Sequence, residues 1–428
     1  MMNRPNRFFL ILTSVWFIAF AALTARLLFA WDQQRKIPHS ALATVPFDQE
    51  AGNIALSLSE GHGYANLFRN DTGSTAWLAP VYPFLLFLIF RFFGAMTLAS
   101  FFAAVLLNAI FSAAATFPLY AIARRVAGVP VAVASGWAWV FLPAGVLTPF
   151  EWIWDTSLSV LLTVSLVWLT LRIVGSAKRS CWLVYGLLWA LALLTNPALG
   201  ICLPFLFLWA IVRAGFRSGG SWTTPVASFA LTLACCLPWT LRNYEHFHRF
   251  IPIRSSLPFE LWIGNNDIFD QHAVHGIVRI TRYEETRRYA QLGETAYLDE
   301  KLQLACSFIR EKFALFSKLT GKRIMATWFG TEHPYHDFIR ADSVLVRTIL
   351  LINLLLTLGT LAGICFLLIR KHPLALPLIA FPVLFPLVYY VTHTSLRYRH
   401  PVDPFLLLLA IYAVATISRP ESARRFAL

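Results

Sequence analysis

The chain has 428 residues, of which 57% are hydrophobic and only 14% are charged. This composition excludes an ordinary soluble domain and indicates an integral membrane protein. The formal net charge of +14 does not predict nucleic-acid binding, because the basic residues are spread over both faces of the membrane. We expect them to meet anionic lipid head groups and phosphates.

Ten apolar segments approach the roughly 20 residues that a helix needs to cross a bilayer. They are 8–31, 98–123, 128–148, 156–174, 182–196, 198–212, 224–240, 348–369, 373–391 and 403–418. The pair around 182–212 is short, and Asn196-Pro197 lies at its centre. Proline removes a backbone donor and is predicted to break the helix there. The freed backbone groups must be covered by protein or line a cavity.

Basic clusters at the segment ends set the orientation. Those in short loops are Arg124 with Arg125, Lys178 with Arg179, Arg213 with Arg217, and Arg370 with Lys371. All lie on one side if both termini are cytoplasmic and the segment 80–95, interrupted by Arg91, lies in the interface without crossing. This predicts a multi-pass inner-membrane protein whose active site faces the periplasm or outside.

The same topology divides the chain into five parts. A first span, 1–31, precedes an outer loop, 32–97, which carries an acidic site and interfacial helices. A bundle, 98–240, is followed by an outer domain, 241–347, and by C-terminal spans, 348–428. Five of the six cysteines fall in or beside membrane spans, so a disulfide framework is not expected, and none has the CxxC spacing of a cysteine metal site.

Two carboxylates, Asp48 and Glu50, follow the first apolar segment and precede a GHGY turn. They could simply mark a helix start, where acidic residues favour the N-terminal dipole. Alternatively, a carboxylate within hydrogen-bond reach of an acceptor hydroxyl could deprotonate it during displacement of a glycosyl group. The residues alone leave both interpretations open.

A second acidic pair, Glu151 and Asp155, lies at the outer mouth of the fourth span. At a spacing of four they would share one face of a helix. The tryptophans between them are typical interfacial anchors, but carboxylates at a span entrance are costly and often functional. We predict a pocket bounded by Asp48 and Asp155 that offers two acids to a sugar or a metal.

The last outer loop, THTSLRYRHPVDP, concentrates Arg397, Tyr398, Arg399 and His400 between two spans. Guanidinium groups bind phosphate bidentately, which suits a lipid phosphate head group. The alternative is ordinary snorkelling of long side chains at the interface. The crowding of these residues favours the phosphate site.

Further candidates follow the seventh span. Arg242 and Arg254 could help to hold a phosphate, and Asn265 could contact a sugar or form a turn. The segment from Tyr283 to Gly330 is predicted to be helical. Its apolar stripe is interpreted as core rather than ligand contact, and comprises Ala305, Phe308, Ile309, Phe313 and Phe316.

The order and placement of these stretches resemble the polytopic glycosyltransferases of the C-type fold that use polyprenyl-phosphate sugars. Protein O-mannosyltransferases and the aminoarabinose transferase of lipid A belong to this group. The resemblance covers nearly the whole chain. It rests on Asp48, the GHGY turn with AWLAPVYPFLLFLIFRFFG behind it, ALLTNPALG, PWTLRNY with FELWIGNN, and LRYRHPVDP.

The resemblance implies an all-α fold of about ten transmembrane helices with interfacial helices and an outer loop domain. Asp48 would be the general base of an inverting transfer, with Glu50 beside it and Asp155 as a second acid. Arg397 and Arg399 would hold the phosphate of a polyprenyl-phosphate sugar. The acceptor would be a hydroxyl or amine on a lipid, a glycan or a protein. No metal or other cofactor is indicated, although a divalent cation is compatible with the acids.

Gln49 separates Asp48 from Glu50, whereas the family often has an adjacent Asp-Glu pair, so the choice of base stays open. Two other functions are compatible with outward basic loops. One is a lipid-linked glycan polymerase or ligase. The other is a transporter or flippase, which would need a polar mid-membrane site and often has repeated halves. Only Asn108 and Asn196 are polar and deep here, and no repeat is visible.

Overall fold

The computed structural model describes residues 7–36, 47, 49–68, 71–176, 178–215, 222–266, 282–331, 337, 339, 341 and 343–418. These residues form helices and one isolated antiparallel bridge between Ala65 and Ser74. The helices are α1 Arg7–Leu12, α2 Val15–Lys36, α3 Glu50–Ser59, α4 Val81–Phe93, α5 Leu98–Ala114, α6 Thr116–Phe141, α7 Pro143–Glu151, α8 Thr156–Ser176, α9 Arg179–Thr195, α10 Leu203–Gly215, α11 Thr223–Phe247, α12 Leu257–Gly264, α13 Arg282–Leu292, α14 Glu294–Glu311, α15 Phe313–Phe329, α16 Val344–Ile369, α17 Ala375–Leu384, α18 Leu387–Val391, α19 Leu396–Arg399 and α20 Asp403–Ser418.

Within the described ranges, seven helical stretches are long and apolar enough to cross a membrane. They are Val15–Lys36, Leu98–Phe141, Thr156–Val174, Pro197–Ala214, Thr223–Phe247, Val344–Ile369 and Leu396–Ser418. Val81–Phe93, Arg179–Thr195 and Ala375–Val391 are shorter apolar helices. The protein is therefore a multi-pass membrane protein, and its described part is helical apart from that bridge. The 13 residues of α4 extend about 20 Å, less than the roughly 30 Å of a hydrocarbon core.

The helix break predicted at Asn196-Pro197 is confirmed. Helix α9 ends at Thr195, and a 3₁₀ turn over Pro197–Cys202 connects it to α10. The Asn196 side-chain oxygen accepts a hydrogen bond from the backbone N–H of Ala198 at 3.2 Å. This cap satisfies a donor that the interrupted helix leaves without an intrahelical partner. The break thereby brings Asn196 to the functional site described below.

The apolar stripe predicted in the outer domain is only partly buried. Ala305 and Phe308 are buried in α14, but Phe313 is 65% exposed. Helix α14 ends at Glu311, and Lys312 has the non-helical angles φ −122° and ψ 44°. Because the helical periodicity is interrupted there, the stripe does not continue along one face. The prediction that Phe313 belongs to the core is wrong.

The first outer loop and the outer domain share one apolar core. Trp77 packs against Phe259 with ring centroids 4.8 Å apart, and Tyr289 and Tyr297 complete the aromatic cluster. The buried Glu294 carboxylate accepts hydrogen bonds from Thr75, the Ala76 N–H, Ser255 and Tyr289, at 2.5–2.8 Å. Four donors offset the cost of burying this charge. The contacts hold the start of α14 against the loop that leads into α4.

Candidate active site

Segments far apart in the sequence converge on a small polar depression, called the recess here. Its polar side chains include Asp155, Asn196, Arg254, Arg397 and Tyr398. The remaining lining residues are Ala51, Leu78, Ala79, Tyr82, Pro83, Trp154, Thr156, Thr195, Tyr389 and Pro401. The enclosed part has a volume of about 50 Å³, the space of a few ordered waters. It can receive a small polar group, while a larger ligand must extend beyond it.

Asp155 supplies the carboxylate of the recess. It directly precedes α8, and Ser159 donates a hydroxyl hydrogen bond to its Oδ2 at 3.0 Å. Burial raises the pKa of Asp155 above its usual value, against the opposing effects of Ser159, Arg254 and Arg397. Burying a carboxylate disfavours its charged form, and the nearby cations oppose that cost.

Glu151 does not accompany Asp155 into the recess. Helix α7 ends at Glu151, and Trp152 is extended with φ −129° and ψ 99°. The two acids therefore do not share a helix face, and the prediction from their spacing is wrong. Glu151 is exposed at the end of its helix, although partial burial raises the pKa of its carboxyl group.

Two arginines face Asp155 across the recess. The Arg397 guanidinium lies over the rings of Trp152, Trp154 and Tyr398, with centroid distances of 4.2, 5.4 and 4.8 Å. Such stacking stabilises a cation while its N–H groups stay available for an anion. Arg254 donates to Glu260 Oε1 at 2.6 Å and also lines the recess. The site thus combines one carboxylate with two oriented cations.

Glu260 and His393 were not among the site residues predicted from the sequence. Glu260 binds Arg254 through one oxygen, and its other oxygen lies 3.3 Å from His393 Nδ1. The opposite ring nitrogen, Nε2, is 3.0 Å from the Tyr398 hydroxyl. Glu260 lies in FELWIGNN, which carries the family resemblance, and His393 lies in the last outer loop, THTSLRYRHPVDP. Their pairing depends on tertiary contacts, which composition and spacing did not indicate.

Arg399 and His400 lie outside the recess, in the bundle core. Arg399 donates to Asp403 at 2.9 Å, to Asn353 at 2.7 Å and to two backbone carbonyl groups. His400 is fully buried, with its Nδ1 2.9 Å from Asp403. Residues two apart on a helical turn point in nearly opposite directions, so Arg397 and Arg399 cannot face one phosphate together. The geometry assigns Arg399 and His400 to structural roles.

Arg242 and Asn265 also have structural contacts. Arg242 donates to the backbone carbonyls of Thr75 at 2.6 Å and Tyr64 at 2.8 Å, which fastens the first outer loop to α11. Asn265 is buried, donates to the Leu261 and Val391 carbonyls, and accepts from Arg323. Neither side chain lines the recess. Their predicted contacts with substrate are therefore not part of the functional proposal.

Asp48 lies outside the described residues, but its neighbours are placed. Phe47 is buried against Phe90 and Phe101, at centroid distances of 4.9 and 6.2 Å. A Cβ added to Gly52 would lie 2.2 Å from the Phe47 carbonyl oxygen, so glycine permits this close approach. Glu50 begins α3 and interacts electrostatically with Arg397, while Ala51 lines the recess.

An apolar groove runs beside the recess. It is formed by one side of α4 together with residues of α9 and α11, and has a volume of about 490 Å³. Its lining residues are Pro80, Val81, Phe84, Leu85, Leu88, Leu194, Cys235, Pro238 and Trp239. Ala79 and Thr195 line the recess directly next to Pro80 and Leu194 of the groove. The recess and the apolar groove therefore adjoin at α4 and at the break after α9.

Neither a protein-family model nor a curated protein matches the sequence. Solved structures of the oligosaccharyltransferase from Archaeoglobus fulgidus do resemble the fold. The apo form has 15% identity and a TM-score of 0.54, over 99% of this chain and 52% of that one. AglB in complex with an inhibitory peptide and a dolichol-phosphate has 14% identity and a TM-score of 0.54, over 99% and 52%. A complex with Zn and sulfate has 13% identity and a TM-score of 0.53, over 96% and 50%.

The chain has the C-type glycosyltransferase fold of these neighbours, as the sequence resemblance implies. It spans about half the length of the solved structures that it matches. At this identity the likeness shows the fold alone. Among the residues that the structure describes, no three His, Cys, Asp or Glu side chains converge as metal ligands would.

Proposed function

We propose that the protein is a glycosyltransferase that takes a monosaccharide from a polyprenyl-phosphate donor. The observation that carries the proposal is the position of the recess beside the apolar groove, within a C-type glycosyltransferase fold. A polyprenyl-phosphate sugar has the matching arrangement, because its charged phosphate lies between a polar sugar and a long apolar chain. The complex of AglB with a dolichol-phosphate adds support from a neighbour that binds a lipid of this kind.

Arg397 and Arg254 are the proposed phosphate ligands. In the transfer, the acceptor oxygen or nitrogen forms a bond to the anomeric carbon while the bond from that carbon to the phosphate oxygen breaks. The electron pair leaves with polyprenyl phosphate, which gains negative charge. Fixed guanidinium groups stabilise that charge in the transition state more than in the bound donor. The apolar groove at α4 would receive the isoprenoid chain.

A carboxylate of the first outer loop is the proposed base. It would accept the proton of the attacking acceptor, and attack from the face opposite the phosphate would invert the anomeric configuration. Asp48 is the first candidate by family resemblance, and Glu50 is the second because it lies near Arg397. Asp155 would orient the sugar or the arginines from the other side of the recess.

The proposed location is the inner membrane, with the recess facing the periplasm or outside. The support is the clustering of basic residues in short loops that share one predicted side. On that face the acceptor hydroxyl or amine could belong to a lipid, a glycan or a protein.

A second candidate is the transfer of a whole glycan from a lipid carrier to a peptide. The fold neighbours favour it, since they are oligosaccharyltransferases and one is tethered to an acceptor peptide containing an NVT sequon. Such an enzyme would use a larger donor whose sugars extend well beyond the recess.

The decisive assay is the release of free polyprenyl phosphate by the purified protein in lipid. The protein would receive a panel of polyprenyl-phosphate monosaccharides with cell-envelope extract as the acceptor source. In parallel, it would receive a lipid-diphosphate oligosaccharide with a sequon peptide. Release from a monosaccharide donor supports the first proposal, whereas turnover of the oligosaccharide alone supports the second. Consumption of neither donor, with movement of lipid-linked sugar across the bilayer, would instead indicate a flippase.

Variants then identify the base. Asp48→Asn should lower the rate by about 10²- to 10⁴-fold if Asp48 is the general base, and Glu50→Gln should have the smaller effect. Asp32→Asn is the matched control, because Asp32 is an exposed acid at the end of α2. Full activity of Asp48→Asn together with loss in Glu50→Gln would transfer the assignment to Glu50.

A further inference from the structure

His393 occupies the middle of a chain of polar contacts that ends in the recess. Its Nδ1 faces Glu260 Oε2 at 3.3 Å, and its Nε2 contacts the Tyr398 hydroxyl at 3.0 Å. The same hydroxyl accepts a hydrogen bond from Arg397 Nη2 at 2.9 Å. Arg397 and Tyr398 both line the recess, whereas His393 does not. His393 can therefore reach a ligand there by hydrogen bonding only through Tyr398, while its charge acts on the ligand directly.

The number of protons on His393 decides what the Tyr398 hydroxyl can do. Neutral imidazole carries one N–H, and the Glu260 carboxylate, which lies 3.3 Å from Nδ1 without hydrogen-bond geometry, favours the tautomer protonated at that nitrogen by electrostatic attraction. Nε2 is then an acceptor and receives a hydrogen bond from the Tyr398 hydroxyl. In charged His393, Nε2 carries a hydrogen and donates to the Tyr398 oxygen instead. That oxygen already accepts from Arg397, so its own O–H becomes free to point into the recess.

We propose that His393 is a positioning residue whose protonation redirects the Tyr398 hydroxyl hydrogen from the imidazole toward the donor phosphate. The inference rests on the proposed function and adds a proton-dependent control of phosphate binding. A phosphodiester oxygen accepts hydrogen bonds and never donates them when it is ionised. When His393 is charged, the phosphate can therefore accept hydrogen bonds from three side chains, those of Arg254, Arg397 and Tyr398.

The groups around His393 decide when it is charged. Burial lowers the pKa of His393 below its ordinary value of 6.5, and Arg397 and Arg323 lower it further, while Glu260 raises it. Arg254 partly neutralises Glu260 through their 2.6 Å ion pair. These surroundings favour the neutral form of His393 in the free protein. An anion bound between Arg254 and Arg397 would reduce the repulsion and favour protonation, so anion binding and proton binding would reinforce each other.

The surrounding backbone holds the imidazole and the carboxylate together. Buried Arg323 donates to the carbonyls of Gly264, Tyr390 and Val391, which ties the end of α12 to the segment before His393. A Cβ added to Gly264 would lie 1.8 Å from the Thr392 carbonyl oxygen, which shows how closely the two segments approach. The Glu260–His393 pair therefore lies at a closely packed, hydrogen-bonded junction of the described structure.

The test measures binding of farnesyl methyl phosphate to the full protein in lipid nanodiscs between pH 8 and pH 5. This probe is a phosphodiester with one negative charge throughout that range, so its own titration does not contribute. At pH 5, wild type should bind the probe roughly tenfold more tightly than a variant in which His393 cannot redirect Tyr398. This factor is the value of one added hydrogen bond to a charged group. His393→Gln and Tyr398→Phe should both lose that gain.

The controls separate this effect from general loss of positive or negative charge. His246→Gln removes an exposed imidazole that lines neither the recess nor the groove, and should keep the wild-type pH profile. Glu260→Gln should shift the tightening to lower pH. If His393→Gln or Tyr398→Phe kept the wild-type pH profile of probe binding, the inference would be overturned. Transfer activity of the wild type would still support the proposed function in that case. Absence of probe binding at every pH, together with no donor turnover, would overturn both.

Discussion

Two arginines in the last outer segment, Arg397 and Arg399, have opposite surroundings. Arg397 lies over three aromatic rings and lines a recess, with the Tyr398 hydroxyl as a neutral hydrogen-bond partner. Arg399 is 3% exposed, is paired with Asp403, and donates to Asn353 and to backbone carbonyls. The first arginine has hydrogen-bonding capacity left for a ligand, and the second has used it inside the bundle.

The comparison shows that residue type and position along the chain do not identify an anion site by themselves. A buried guanidinium needs compensation from a carboxylate and from hydrogen-bond acceptors. The cluster around Arg399 supplies that compensation within the protein. At Arg397 the aromatic rings provide weaker stabilisation, and an anionic ligand can supply the rest. Substitutions in the two places should therefore damage different properties of the molecule.

The largest expected effect is the loss of stability in Asp403→Asn. Asp403 pairs with both Arg399 and His400 at 2.9 Å. Removing its charge leaves the Arg399 cation uncompensated in the bundle, at a cost of about 3–5 kcal/mol. Denaturant unfolding of the purified protein in detergent measures the change. Asp299→Asn is the matched control, because its pair with Arg249 is about half exposed and should contribute about 1 kcal/mol or less. Equal stability of the two variants would contradict the assigned role of Asp403.

The next effect is the loss of transfer activity in Arg397→Gln. Removing one fixed donor from a developing negative charge lowers turnover by about 10²- to 10³-fold in comparable sites. The unfolding midpoint should change little, because among the residues that the structure describes no carboxylate forms an ion pair with Arg397. Release of polyprenyl phosphate measures the rate, and Arg249→Gln controls for the loss of a surface charge. A full rate in Arg397→Gln, or unfolding like that of Asp403→Asn, would place Arg397 outside the catalytic machinery.

Much of the architecture was predictable because local chemistry determines it. The ten predicted apolar segments include all seven described stretches of spanning length, although 182–196 and 373–391 correspond to shorter helices, and Pro197 identified the break that brings Asn196 to the recess. The spacing of Glu151 and Asp155 was misleading, because the chain leaves the helix at Trp152. Periodicity failed for the same reason at Phe313, where Lys312 interrupts the helix.

The candidate site was predictable only in part. The charged character of the last outer loop pointed to Arg397 and Tyr398, both of which line the recess. It could not show that Arg399 faces the core, since that depends on a helical turn of four residues, Leu396–Arg399. Nor could it pair Glu260 with His393, because their contact depends on the junction that Arg323 builds between two distant segments.

The smallest expected effect is a gain in stability when the buried charge of Asp155 is removed. Burial raises the pKa of Asp155 above its model-compound value of 3.8. The folded chain therefore binds more protons than the unfolded chain between those two pKa values, and stability falls as the pH rises through that window. Asp155→Asn keeps an acceptor for Ser159 but removes the buried charge. Its melting temperature should exceed that of wild type at pH 7.5, and the difference should narrow as the pH is lowered toward 4.

Thermal unfolding of both proteins across this pH range tests the sign. Asp32→Asn removes an exposed carboxylate and should follow wild type throughout, which controls for the change in net charge. A lower melting temperature of Asp155→Asn at pH 7.5 would mean that the carboxylate stabilises Arg254 and Arg397 more than its own burial costs. In that case Asp155 would be a structural counterion of the recess, and the arginines would have less capacity left for a phosphate.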